Sequence, residues 1–317
     1  MSAVQHTSVS PVTPAAATDM VGHLAATASI EMTPRQVLSA PSMADLLPSG
    51  STVYVPLLSG ADRDQSVAAC RELVAQAMRP VAHLPARAVP SRAALNEWLG
   101  GLRAVGVDSL LLIAGDGDKP AGPFHNTLDL LDSGLLEHYG FRRLAIAGHP
   151  GGHPVASDQA LREALAIKQA YAAEHGCEMW MVTQFVFAAE PALRWLDAIR
   201  NAAGPLPIWI GLPGPSKLRT LLAFAAQCGL GSSARMLMRR PDAARLVRGW
   251  SPEPLLRELA ASRAVEGAAS PGGVHLYPFG GVRRCTDWLR ELHAERCAAS
   301  AGAPLSPEPI MASEQAR

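Results

Sequence analysis

Short apolar runs recur along this chain at intervals of roughly thirty residues, the length of a strand plus its crossover helix, and several of them end on a polar residue. Glu31 closes Ala28-Ser29-Ile30-Glu31, and Gly115-Asp116 closes the run over 109–114. His149 follows Leu144-Ala145-Ile146-Ala147-Gly148, and Thr183-Gln184 closes Met179-Trp180-Met181-Val182. Near-continuous runs followed by helical patterns read as parallel strands buried on both faces. Where parallel strands share a sheet, their carboxyl ends converge on one face, and chemistry is assembled there.

Candidate strands fall at 26–31, 52–56, 81–84, 109–114, 143–147, 179–183, 207–211 and 273–278. Helical periods lie between them, with Val67, Cys70, Val74 and Ala77 marking one apolar face. Leu193, Leu196 and Ile199 mark a second, and Leu218, Leu221, Leu222 and Ala225 a third. Ser91, Ser157 and Ser216 each stand where a hydroxyl would cap a first turn. Eight alternations without a break in composition predict a single α/β domain, a (β/α)8 TIM barrel over 21–300. The long stretch 231–272 predicts extra helices before the last strand, one of them near 254–263. No Gly-x-Gly-x-x-Gly follows the first strand, so a Rossmann dinucleotide site has no candidate. Residues 1–20 and 301–317, rich in Ala, Ser and Pro, read as disordered tails.

At 317 residues, 48% hydrophobic and with zero formal charge, the chain has ample length for a large core and no basic stripe for nucleic acid. No apolar stretch approaches the ~20 residues of a spanning helix. The five scattered cysteines form no Cys-x-x-Cys pair. They suit a reducing, cytoplasmic setting, and most read as small core residues.

The chemistry-bearing candidates sit at strand ends. A carboxyl at Glu31, shielded at a barrel mouth, can act as a general acid, and a solvated loop glutamate is the equal alternative. Asp116 follows a glycine that admits close backbone approach, though Gly-Asp-Gly-Asp is also strong turn chemistry. His149-Pro150-Gly151-Gly152-His153-Pro154 spaces two histidines four apart. Its prolines and glycines forbid the helix that zinc ligation would need, so no metal is expected and a ligand-packing loop is favoured. Gln184 presents an amide suited to a heterocycle edge, with Phe185 and Phe187 read as core. The Gly211-Leu212-Pro213-Gly214-Pro215-Ser216-Lys217 loop is either a phosphate loop or a plain helix start. Phe279-Gly280-Gly281 is equally ambiguous.

Taken in order, these motifs resemble the methylenetetrahydrofolate reductase family, flavin-dependent (β/α)8 barrels of folate one-carbon metabolism. The resemblance runs over about 29–289. It rests on Ser29-Ile30-Glu31-Met32-Thr33-Pro34-Arg35, His83-Leu84, Ile113-Ala114-Gly115-Asp116, His149-Pro150-Gly151-Gly152-His153-Pro154 and Val182-Thr183-Gln184-Phe185-Val186-Phe187. The resemblance implies reduction of 5,10-methylenetetrahydrofolate to 5-methyltetrahydrofolate by NADH or NADPH through FAD, as in tetrahydrofolate interconversion and methionine biosynthesis. It implies that Glu31 is the acid that opens the folate ring to an iminium, that Asp116 orients pterin and tunes flavin, and that Gln184 binds the pterin. It places His83, Ala114, Gly115, His149, His153 and Lys168 at flavin-contacting positions.

The chain departs from the family at Met32 and Thr33, where aromatics are usual, and at Ala114, where arginine is usual. It departs again at His149 in place of tyrosine, at Gln169 and Ala170 beside Lys168, and at Leu218. A flavin-free reductase and a folate-binding partner subunit without turnover are the competing expectations, and oligomeric state is open. All of them require Glu31, Asp116 and Gln184 to share one end of the barrel.

Overall fold

The computed structural model describes residues 14–58, 62–116, 119–153, 155–204, 206–228, 249–263 and 270–301. Eight parallel strands close into a barrel in the order β1-β2-β3-β4-β5-β6-β7-β8. They are β1 (Ser29–Glu31), β2 (Thr52–Val55), β3 (Arg79–Pro85), β4 (Ser109–Ile113), β5 (Arg143–Gly148), β6 (Glu178–Phe185), β7 (Ile208–Pro213) and β8 (Gly273–Tyr277). Helix α1 (Pro14–Ala26) precedes β1, and α2 (Pro34–Ser39) and α3 (Arg63–Ala75) follow β1 and β2. A 3-10 turn (Ala86–Ala88) and α4 (Arg92–Ala104) follow β3, α5 (Thr127–Leu131) and α6 (Leu135–His138) follow β4, and α7 (Asp158–His175) follows β5. The ring is completed by α8 (Ala189–Ala203), α9 (Leu218–Gln227), α10 (Glu253–Arg263) and α11 (Val282–Ala301). The (β/α)8 barrel read from the strand spacing is therefore present, with α10 as an added helix before β8. The remainder of the expected extra helices, over 229–248 and 264–269, lies outside the described residues.

Local chemistry explains the element boundaries. Thr33 and Gln36 form a reciprocal capping box ahead of α2, with Pro34 in its first turn. Ser91 and Ser157 accept from the third N–H of α4 and α7, as their spacing indicates. Ser216 does not cap: Lys217 is the residue before α9, and Ser216 instead pairs its backbone with Trp250 in an antiparallel bridge. A tertiary partner displaced a local signal there.

Three other expectations shift. Helix α1 occupies 14–26, so part of the expected tail is helical, the first strand starts at Ser29 rather than 26, and the rest of both tails lies outside the described residues. Helix α3 buries Ser66, Ala69, Cys70 and Leu73, leaving Val74 exposed and Ala77 beyond the helix end with a φ of 58°. Docking on the sheet selected a neighbouring stripe of a helix that carries apolar residues on more than one side. Of the cysteines, only Cys70 and Cys285 are buried; Cys177 is half-buried, and Cys228 and Cys297 are exposed. Cys228 is the residue that follows the last turn of α9.

Inward positions alternate along each strand, as barrel geometry requires. Tyr54, Val81, Leu111, Ala145, Trp180 and Val182 form an enclosed cluster inside the ring, separate from the larger core between strands and helices. Within it the Trp180 indole N–H donates to the Tyr54 hydroxyl across the barrel at 2.8 Å. Above this apolar plug the inward positions turn polar.

Candidate active site

Glu31 ends β1, and Asp116 and Gln184 belong to the ends of β4 and β6, so the closed parallel ring sets all three on its carboxyl rim. Electrostatics agree for two of them. The Cys228 thiol is pushed up by burial and then by the negative charges of Glu31 and Asp116, so both carboxyls lie within electrostatic range of one side chain. Asp116 is exposed in the loop after β4, while Glu31 lies deeper, with 24% of its side chain reachable through the opening.

Burial alone raises the Glu31 carboxyl from 4.5 to about 7, because no cation offsets the loss of hydration. Its near neighbour is His83 on β3, whose Nε2 lies 3.7 Å from Glu31 Oε2. Burial lowers His83 to about 3, so the imidazole is neutral at ordinary pH and the contact is not an ion pair there. His275, also held near 3, hydrogen-bonds Ser29 through Nδ1 at 2.9 Å. The Tyr277 hydroxyl donates to the Thr183 carbonyl at 3.0 Å, and burial and the nearby Glu31 hold its phenol well above its usual range. The site thus contains a carboxylic acid poised near neutrality among neutral ring groups. That arrangement suits proton donation.

Gln184 is positioned by an irregularity in β6, whose register against β7 shifts between Val182 and Phe185. There Gly211 N–H donates to Thr183 Oγ1 at 2.9 Å, a side chain standing in for a ladder carbonyl. A Cβ on Gly211 would sit 2.5 Å from the Thr183 carbonyl oxygen, so only glycine fits. The Gln184 side-chain carbonyl accepts from Phe185 N–H at 3.0 Å, and its NH2 group has no hydrogen-bond partner among the described residues. The free donor–acceptor pair expected from sequence is thus reduced to a free donor, the oxygen being engaged by the backbone.

Phe185 and Phe187 are buried, as read. Tyr277 and Phe279 stack at 5.8 Å, and Phe279 stacks on Phe224 of α9 at 4.3 Å, building an aromatic wall on the β8 side. Sequence reasoning missed Tyr54, Tyr277, His275 and Phe224. The strand-end rule already applied to β1 and β4 would have found Tyr277, and counting back two residues would have found His275. Phe224 is legible only once α9 has docked.

A second cluster lies above β3, β4 and β5. His149 and His153 meet edge to face at 4.7 Å, and His153 Nδ1 accepts from Val155 and Ala156 N–H at 3.2 and 2.9 Å. Burial, then the charges of His153 and Lys168, bring His149 down to about 4, and Arg87 lowers His153 after burial does. Burial lowers Lys168 to about 8, and among the described residues no carboxylate lies within ion-pair reach of it. Gly115, with a φ of 88°, packs so close to Pro85 that a Cβ would come within 2.9 Å of the ring, and Ala114 accepts from Arg87 N–H. A half-buried lysine near His149, with Arg87 near His153, fits an anionic group such as a diphosphate. Among the described residues no three His, Cys, Asp or Glu side chains converge to hold a metal ion. No helix among them is long and apolar enough to cross a membrane.

No protein-family model matches the chain. Among solved structures it is similar to a conserved protein of unknown function from Enterococcus faecalis, at 11% identity and a TM-score of 0.47, covering 86% of this chain and 65% of that one. It is similar to dihydropteroate synthase from Thermus thermophilus, at 15% identity and a TM-score of 0.41, covering 84% and 92% of the two chains. A putative phosphonomutase from Burkholderia cenocepacia gives 9% identity and a TM-score of 0.44, covering 91% and 98%.

Proposed function

We propose that this protein is a diverged methylenetetrahydrofolate reductase, an oxidoreductase that reduces 5,10-methylenetetrahydrofolate to 5-methyltetrahydrofolate with NADH or NADPH. The observation that carries this reading is Glu31, a carboxyl at the barrel mouth that burial holds at about 7 without any cationic partner. A passive folate binder has no use for such a costly acid, whereas ring opening of the substrate requires a proton at neutral pH.

In this reading Glu31 donates its proton to the bridging folate nitrogen, the carbon–nitrogen bond breaks, and the methylene carbon becomes an iminium that accepts hydride. The Asp116 carboxylate accepts from pterin N–H groups, and the free NH2 of Gln184 donates to the pterin edge. The wall formed by Tyr277, Phe279 and Phe224 offers a planar face and keeps water from the iminium carbon. Lys168, Arg87, His149 and His153 would hold the diphosphate of FAD, and Gly115 would let its ring approach the backbone. When bound, the flavin supplies the hydride chemistry. Gln169 and Ala170, which replace basic residues beside Lys168, favour loose retention of the flavin.

The test is an anaerobic titration of the purified protein, reconstituted with FAD, first with NADH or NADPH and then with 5,10-methylenetetrahydrofolate. Flavin bleaching followed by folate-dependent recovery of colour is expected. In Glu31→Gln, bleaching should persist and recovery should be abolished. Near-normal folate turnover in that variant overturns the acid assignment. Folate reduction by colourless, flavin-depleted protein replaces FAD with direct transfer from nicotinamide.

A further inference from the structure

Strand β6 carries one residue too many for its partner. Its register against β7 runs Met181 to Ile208 and Val182 to Trp209, then resumes at Phe185 to Gly211, so Thr183 and Gln184 together face the single residue Ile210. A bulge of this kind frees backbone groups from the ladder and re-aims a side chain, and a slip that removed it would turn Gln184 to the other face of the sheet. Four hydrogen bonds hold it. Gly211 N–H donates to Thr183 Oγ1 at 2.9 Å, the Thr183 hydroxyl donates to the Gln184 carbonyl at 2.8 Å, and Phe185 N–H donates to Gln184 Oε1 at 3.0 Å. The fourth comes from two strands away, where the Tyr277 hydroxyl of β8 donates to the Thr183 carbonyl at 3.0 Å. The Tyr277 ring crosses β7 where that strand has no side chain: a Cβ on Gly211 would lie 2.8 Å from Tyr277 Cε2 and 2.5 Å from the Thr183 oxygen. Thr183 is fully buried, so the phenol rather than bulk water satisfies its carbonyl.

We infer that Tyr277 is a positioning residue for Gln184: its hydroxyl, bonded to the Thr183 carbonyl across β7, holds the bulge that presents the Gln184 amide, and the amide so held selects a ligand edge that carries a hydrogen-bond acceptor. Phe185 sets which end of the amide is free. Its N–H needs an acceptor, so Oε1 faces it, and a flipped amide would set NH2 against N–H, two donors with nothing between them. The NH2 has no partner among the described residues and is the half left for a ligand. A carbonyl oxygen or an unprotonated ring nitrogen fits it, and a ring N–H does not. Burial, and then the charge of Glu31, hold the Tyr277 phenol well above its usual range, so it keeps its proton and remains a donor in ordinary buffers. The inference deepens the proposed function and takes the folate as ligand from it, but the link from Tyr277 to Gln184 is a property of the protein alone.

Tyr277→Phe keeps the ring in the aromatic wall and deletes only the hydroxyl. In FAD-reconstituted protein it should raise KM for 5,10-methylenetetrahydrofolate by about tenfold, the scale of one hydrogen bond, with kcat little changed. Thr183→Val, which removes the hydroxyl shared by Gly211 and Gln184, should do the same, and Thr183→Ser should keep the native KM. In Gln184→Ala, where KM is already raised, adding Tyr277→Phe should change it no further. A native KM in Tyr277→Phe, a fall in kcat at constant KM, or effects that add in the double variant overturn the inference. So does a Gln184→Glu protein with native folate affinity, because its second oxygen offers no donor at neutral pH. The link is also read without substrate, from the nitrogen-15 signal of the Gln184 side-chain amide, identified by its loss in Gln184→Glu. That signal should shift in Tyr277→Phe, and an unchanged signal overturns the inference. If the native protein fails to reduce folate while the shift is seen, the proposed function falls and the positioning role remains.

Discussion

Replacing Glu31 by glutamine should stabilise the protein, and the gain should grow with pH. Glutamine has the shape of the protonated acid and, like it, carries no charge to desolvate. In the native protein the carboxyl holds its proton until about 7, whereas in the unfolded chain it ionises near 4.5. Between those values the folded state binds more protons, so native stability falls as pH rises through that window and levels off above it. At about 1.36 kcal/mol per pH unit, the ionisation penalty is about 0.8 kcal/mol at pH 5 and about 3.3 kcal/mol at pH 8. The advantage of Glu31→Gln over the native protein should therefore widen by about 2.5 kcal/mol between these two conditions. Urea unfolding of both proteins at pH 5 and 8 measures that difference directly, and the titrations of all other groups cancel in it. A constant advantage, or a loss of stability that deepens at pH 8, refutes the claim that burial without a cation governs this acid.

Three further outcomes follow from the same geometry. In Tyr54→Phe the Trp180 indole N–H stays buried and loses its acceptor, so thermal or urea unfolding should report a loss of about 1–3 kcal/mol with the fold retained. Gly211→Ala places a Cβ against the Thr183 carbonyl and should cost about 1–3 kcal/mol in denaturant unfolding while disturbing the neighbouring Gln184. The buried neutral histidines His83 and His275 should make the protein acid-sensitive. Their folded values near 3 lie below the unfolded value of 6.5, so stability present above 6.5 is lost as pH falls toward 3. An acid-unfolding curve that is unaltered in His275→Gln would contradict that assignment.

The residues differ in how far ahead of the structure they could be read. The strand ends at Glu31, Asp116 and Gln184 were legible because buried parallel strands must be apolar throughout and must stop where polarity begins. Ser91 and Ser157 were legible because a cap bonds a backbone N–H three residues away. Ser216 has the same local signature and fails, because Trp250, far along the chain, offers its backbone a better partner. The stripe on α3 was misread for a related reason: its period admits more than one buried side, and the sheet it docks on makes the selection.

Taken alone, the order of residues determined the barrel and the carboxyl and amide that stand at the carboxyl ends of its strands. These follow from apolar periodicity and from hydrogen bonds that span a few residues. Tertiary structure alone decided that Glu31 is an acid near 7, that His83 rather than a cation stands beside it, and that Tyr54 is tied to Trp180 across 126 positions. Closure of the ring sets which side chains meet inside it and how much water remains between them. Both depend on strand register and tilt, which no local stretch of sequence contains.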